Sequence, residues 1–301
     1  MEVRYDTVVI GGSGFVGTKL ATYLAERGER VLDLSRHISA VPIRGVQQKV
    51  IDFSRPLSES ERIPEFDTII ILIGQTGPSF DPVADRQALQ NLVSLINLRK
   101  HPVKVLYSST ALVYGDCSDP AIESDDIKPI ESYAKHKAEN EAFLLAQIAP
   151  QHQLGIFRFS NVFGDIRSKG FIALIMNRLL ANPTNVFPIN GDGNQERDYI
   201  FIDDLIEAIA AVKTKLRGRD IINVGSGESR SLSSVLQSVT VVSGKMLLFE
   251  VTHQPIIEAR NVRISTERLR SVYGYVPKHT FLEALQLMWE KAGIGKEIHI
   301  L

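Results

Sequence analysis

The stretch Thr7-Val8-Val9-Ile10-Gly11-Gly12-Ser13-Gly14-Phe15-Val16-Gly17 decides the fold. Apolar and β-branched residues run into glycines at positions 11, 14 and 17. A helical pattern follows at once, with Val16, Leu20 and Leu24 on one stripe and Gly28 where a stop is expected. Strand, glycine turn and helix in that order let backbone N–H groups approach an anion at a helix N-terminus. This is how the first βα turn of an open α/β sheet holds the pyrophosphate of a dinucleotide. Gly11, Ser13, Gly14, Phe15, Val16 and Gly17 are therefore candidate cofactor-binding residues.

Further apolar runs lie at Arg30–Leu34, Gln48–Ile51, Thr68–Ile73, Val103–Tyr107 and Leu154–Phe159, and helical spacing at Asp85–Arg99 and Ser132–Ile148. Runs that are apolar throughout suit strands covered on both faces. The alternation predicts an α/β fold, a Rossmann-type doubly wound parallel sheet, over residues 1–165. Residues 166–301 read differently, with apolar helices at Phe171–Leu180, Asp203–Val212 and Phe281–Lys291 between short strands and turns. They predict a smaller, mixed α/β substrate-binding lobe, the chain crossing back between the two.

The 34 basic and 35 acidic residues nearly cancel, so no strong field draws nucleic acid or an anionic membrane. Cys117 stands alone, which excludes an internal disulfide and argues against a cysteine zinc site. Neither a signal peptide nor a membrane-spanning run is read, and a cytoplasmic enzyme is expected. The seven histidines show no metal spacing, and His101, His136 and His152 read as surface or loop residues.

Tyr133-Ala134-Lys135-His136-Lys137 places a phenol and an ammonium four apart on one helix face. A base for a carbinol proton needs a phenol far more acidic than free tyrosine. The Lys137 charge, with that of an oxidised cofactor, is expected to favour the phenolate. Upstream, Tyr107-Ser108-Ser109-Thr110-Ala111-Leu112-Val113-Tyr114-Gly115 follows a strand, where ligands of open α/β sheets bind. A hydroxyl there can hold the reacting oxygen beside Tyr133. Ser108 and Ser109 read as satisfying backbone groups. The end of the second strand selects between cofactors, an acid suiting a ribose 2′-hydroxyl and an arginine a 2′-phosphate. Ser35 and Arg36 stand there and Asp33 comes too early, which favours NADP while leaving NAD open.

These motifs resemble the extended short-chain dehydrogenase/reductases, and among them the NAD(P)-dependent nucleotide-sugar epimerases and dehydratases. Arg158-Phe159-Ser160-Asn161-Val162-Phe163-Gly164 looks like the family's R-[YF]-x-N-x-x-G, and Gly191 to Tyr199 followed by Phe201 to Leu205 like G-D-G-x-x-x-R-D-[YF]-x-x-[VI]-x-D. Asn223-Val224-Gly225-Ser226-Gly227 matches N-[VI]-G-x-G. The resemblance implies catalytic roles for Thr110, Tyr133 and Lys137, adenine contacts at Asp52 and Phe53, and a nicotinamide contact from the Phe159 backbone. It implies substrate diphosphate contacts from Asn161, Arg197 and Arg260, with Arg263 a competitor for the last role. Ala111 and Leu112 stand where a 4,6-dehydratase carries an Asp-Glu pair, which argues against dehydration. The serine-rich segment makes a 4-epimerase of a nucleotide-diphosphate sugar the leading expectation; Ser35–Arg36 points to an NADPH-dependent 4-ketoreductase as the alternative. A non-catalytic NADP-binding regulator is the alternative of another class. A homodimer through the helices at 85–99 and 132–148 is also implied. Loops 78–85, 165–175 and 185–260 are expected to choose the substrate.

Overall fold

The computed structural model describes residues 3–38, 42–57, 62–74, 80–181, 186–252, 254 and 258–297. Positions 78, 79, 185, 253 and 255–257 of the expected specificity loops lie outside them. In chain order the first half forms β1 (Arg4–Ile10), α1 (Phe15–Glu26), β2 (Val31–Ser35), β3 (Val46–Val50), β4 (Glu65–Ile71) and α2 (Pro82–Asn97). Then come β5 (Lys104–Thr110), a 3-10 turn (Ala111–Tyr114), α3 (Ser132–Gln147) and β6 (Gln153–Phe159). The rest forms β7 (Asn161–Phe163), α4 (Phe171–Ala181), β8 (Phe187–Ile189), β9 (Glu196–Phe201), α5 (Ile202–Lys215) and β10 (Arg219–Val224). It closes with β11 (Ser229–Ser231), α6 (Leu232–Ser243), β12 (Phe249–Val251), β13 (Asn261–Val262), α7 (Glu267–Ser271) and α8 (Phe281–Glu297).

Two compact units result. Unit 1 holds Met1–Val113, Ser132–Arg158 and Ile209–Ile222, and unit 2 holds Tyr114–Glu131, Phe159–Ala208 and Asn223–Leu301. The chain thus crosses between them more than once, with 114–131 in unit 2 and 209–222 in unit 1.

The expected doubly wound parallel sheet is present, in the order β10-β6-β5-β4-β1-β2-β3. β1 pairs in parallel with both β2 and β4, so successive connections leave it in opposite directions. That is the topological switch point, where a crevice opens at the carboxyl ends of the strands. The innermost strands are apolar on both faces: Val8, Val9, Ile69, Ile70, Val105 and Leu106 are all buried. On one face Leu89, Leu92, Val93 and Ile96 of α2 and Leu144 of α3 join this core. β10, which the sequence reading did not anticipate, caps the β6 edge; the Leu154 N–H donates to the Gly218 carbonyl at 2.9 Å.

In unit 2, β9 pairs in parallel with β7 and β13 and antiparallel with β11. This register sets Asn161 opposite Tyr199 and Val262 opposite Arg197. No described helix is long and apolar enough to cross a membrane. Among the described residues no group of histidine, cysteine and carboxylate side chains could hold a metal ion.

Two histidines depart from the sequence reading. His136 is buried inside α3 and His152 is buried at the start of β6, where its Nδ1 accepts the Val103 N–H at 3.2 Å. Each side chain found a partner distant in sequence, His136 in Asp85 and His152 in the Val103 N–H, though His152 Nε2 is buried without a hydrogen-bond partner among the described residues.

Candidate active site

The glycine turn lies at the switch point. Gly11 adopts φ +86°, and a Cβ there would stand 3.2 Å from the Leu72 carbonyl just past β4. A Cβ on Gly17 would collide with the Gly11 carbonyl and approach the Gly12 Cα to 2.6 Å. The turn therefore closes only with glycines, and α1 begins at Phe15 with Gly14 as an N-cap that offers no side-chain hydrogen bond. The first-turn N–H groups of α1 meet no capping side chain, which leaves them to an anion. This cradle fits a dinucleotide pyrophosphate. Phe15 and Val16 open the helix half-buried.

Beside the turn, β2 ends in a tight polar cluster. The Ser13 N–H donates to Ser35 Oγ (3.1 Å), Ser35 donates to Asp33 Oδ1 (2.6 Å), and Gln48 Nε2 donates to Asp33 Oδ2 (2.9 Å). Asp33 is fully buried against Gly12, while Arg36 is exposed. Asp52 accepts the N–H and hydroxyl of Ser54 at 2.9 and 2.7 Å. Those bonds, aided by the Arg36 and Arg55 charges, hold its carboxyl below the usual range. The Phe53 side chain belongs to the core and its carbonyl accepts from Asn91 (2.7 Å), which leaves the backbone N–H as its candidate ligand contact.

Thr110 closes β5 and accepts the Leu112 N–H at 3.3 Å. Lys137 is buried and donates three hydrogen bonds: to the Ile73 carbonyl (2.7 Å), the Ser108 carbonyl (2.7 Å) and Tyr107 Oη (3.1 Å). It thereby pins α3 across the ends of β4 and β5. Four helical residues advance about 6 Å and two strand residues about 6.6 Å. Tyr133 stands four residues before Lys137 on α3, and Thr110 two residues beyond Ser108 on β5. Gly74 makes the lysine's approach possible, since a Cβ there would lie 2.7 Å from Nζ.

Behind the lysine stands a buried network that the sequence reading missed. Asp85 Oδ2 lies 2.7 Å from His136 Nε2 and accepts from Asn140 Nδ2 at 3.1 Å. Asn140 also donates to Tyr107 Oη at 3.0 Å. Phe80 packs its edge against both Tyr133 and His136, with centroids 5.7 and 5.3 Å apart. Burial pushes the Lys137 ammonium down to about 8, against the charges of Asp85 and Glu141 that favour it. Burial and the Asp85 charge push the Tyr133 phenol well above its ordinary value. The ammonium spends its hydrogens on two carbonyls and Tyr107, and it lies 5.9 Å from the Tyr133 ring centre.

Ser108 donates to the Ile71 carbonyl, as expected. Ser109 instead donates to Glu141 Oε1, a carboxylate that Arg158 grips through Nη2 at 2.7 Å and Nε at 3.2 Å. A buried arginine–carboxylate pair has oxygens to satisfy, and Ser109 supplies the further donor.

Unit 2 carries the other candidates. Asn161 is exposed at the start of β7, and Phe159 is buried beside it in sequence. Arg197 is buried; its Nη1 donates to the carbonyls of Glu196 and Arg260, and its Nη2 lies 3.2 Å from Glu258. Arg260 is exposed and paired with Asp192, while Arg263 is tied to Glu196 Oε2 (2.8 Å) and the Ser118 carbonyl (2.6 Å). Asp198 accepts the N–H groups of Ser226 (2.8 Å) and Gly227 (2.7 Å), fixing that turn; burial pushes its carboxyl up to about 6 despite these bonds. Tyr114 donates to Asn223 Oδ1 at 2.7 Å.

The sequence profile of the NAD dependent epimerase/dehydratase family matches residues 7–225. The chain belongs to that family. Over 304 residues it is 26% identical to dTDP-4-dehydro-6-deoxyglucose reductase of Escherichia coli, covering 92% of this chain and 94% of the relative. Over 307 residues it is 25% identical to UDP-glucose 4-epimerase of Corynebacterium glutamicum, covering 92% of each. Among solved structures, MoeE5 in complex with UDP-glucuronic acid and NAD superposes with a TM-score of 0.82 at 22% identity, covering 96% of this chain and 99% of that one. TunA, an NAD-dependent NDP-hexosamine 5,6-dehydratase, gives 0.83 at 25% identity, covering 96% and 98%. The family and fold expected from the motifs are thus present.

Proposed function

We propose that this family member reduces the 4-keto group of a nucleotide-diphosphate sugar with NADPH. The observation that carries the choice is the end of β2. Its one acid, Asp33, is buried and engaged by Ser35 and Gln48, so no carboxylate faces a ribose 2′-hydroxyl from this strand. Arg36, exposed at the next turn, is suited to a 2′-phosphate. Bound at the glycine cradle, the nicotinamide cofactor supplies hydride. Thr110 orients the carbonyl oxygen, and Tyr133 delivers the proton to it. A neutral phenol carries the proton that reduction requires. Lys137 stabilises the phenolate left behind. Asn161, Arg197 and Arg260 bind the diphosphate, Asp52 and the Phe53 backbone meet the adenine, and the Phe159 backbone meets the nicotinamide. The relative of Escherichia coli is named for a reduction of this class.

A 4-epimerase is the second reading, supported by Ser108-Ser109-Thr110 leading to Val113-Tyr114-Gly115 and by the epimerase relatives. Denaturing the purified protein and weighing what it releases separates the two. An empty site that then binds NADPH at least tenfold more tightly than NADH supports the reductase; retained NAD supports the epimerase. Arg36→Ala is expected to remove the NADPH preference. We further propose a homodimer through α2 and α3, whose residues Ala142, Leu145 and Ala146 are exposed.

A further inference from the structure

The role of Glu258 rests on the proposed reading of Arg197 as a ligand for the substrate diphosphate. Both hydrogens of Arg197 Nη1 are committed to backbone, to the carbonyls of Glu196 at 2.8 Å and Arg260 at 2.9 Å. These bonds hold the guanidinium plane and turn Nη2 toward the Glu258 carboxylate. The two partners differ sharply in access to water: the side chain of Arg197 is 7% exposed and that of Glu258 48%. A guanidinium so buried pays heavily to be left without a counter-ion. A half-exposed carboxylate loses little by turning into solvent. The asymmetry favours exchange of one anion for another on a fixed cation.

We propose that Glu258 is a specificity-determining residue of the anion subsite: its carboxylate holds Arg197 as an internal competitor, which a nucleoside diphosphate must displace. A ligand with several charged oxygens and bidentate geometry repays the exchange. A neutral sugar, or one with a single weak charge, does not. The contact therefore keeps a buried cation neutralised in the free protein and rejects weak anions. The same contact lowers the affinity for the proper ligand.

The test is calorimetric titration of the full chain with UDP, and with NADPH as a control for the glycine cradle. Glu258→Gln keeps the shape and removes the charge; it is expected to tighten UDP about tenfold while leaving NADPH unchanged. Glu258→Asp keeps the charge and is expected to bind UDP within about twofold of the parent. Circular dichroism confirms that each variant is folded. If Arg197→Met abolishes UDP binding but Glu258→Gln leaves it equal or weaker, the competitor role is overturned and the reading of Arg197 stands. If UDP binds neither the parent nor Glu258→Gln, or if Arg197→Met binds it undiminished, the reading of Arg197 fails and the inference with it.

Discussion

Lys137, proposed as part of the catalytic group, is held at the expense of the fold. Its ammonium is fully buried and answered by two carbonyls and a phenol rather than by a carboxylate within bonding reach. Burial brings it down to about 8 from the ordinary 10.5. Between those values the unfolded chain holds the proton and the folded chain has released it. Stability therefore rises with pH across that window, because the folded state is relieved of a buried charge. Urea titrations at pH 7.5 and 10.5 are expected to show the parent gaining about 3 kcal/mol relative to Lys137→Met over that interval. A constant difference between the two proteins would contradict the assignment. The Tyr133–Lys137 spacing was legible in the sequence. The Asp85–His136–Asn140 network was not, since Asp85 lies 51 and 55 positions from its partners. Nothing local marks a histidine in a helix as buried; only the arrival of α2 beside α3 makes it so.

At the scale of elements, the turn between β1 and α1 carries the most information per residue. Gly11 and Gly17 were readable because each answers a steric demand, and the structure shows the atoms that impose it. Gly17→Ala is expected to force the turn open, costing about 1–3 kcal/mol of stability and at least tenfold in NADPH affinity. Fluorescence titration with NADPH checks this, and unchanged affinity would show that the turn does not hold the pyrophosphate. β10 was invisible for a different reason. It lies late in the sequence, and its place beside β6 follows from the return of the chain rather than from its own pattern. Arg197 was legible as a cation at a motif position, but its pairing with Glu258 depends on β13 lying beside β9.

For the whole molecule, the near balance of charge offers no long-range attraction between copies, so the proposed homodimer rests on matched apolar surface. The outer side of α3 provides some, with Ala142, Leu145 and Ala146 turned away from the core. Light scattering at micromolar concentration is expected to give twice the 33.5 kDa mass of one chain. Leu145→Glu should shift the protein to a monomer, and a parent that is already monomeric would refute this interface. The proposed chemistry is tested most directly by following NADPH absorbance at 340 nm with dTDP-4-dehydro-6-deoxyglucose as the trial substrate, in the parent and in Tyr133→Phe. The parent is predicted to consume one NADPH per keto sugar reduced, and Tyr133→Phe to bind NADPH normally but turn over about 10²–10⁴-fold more slowly. Full turnover in Tyr133→Phe would remove the phenol from the mechanism, and a parent that consumes no NADPH would contradict the reductase assignment.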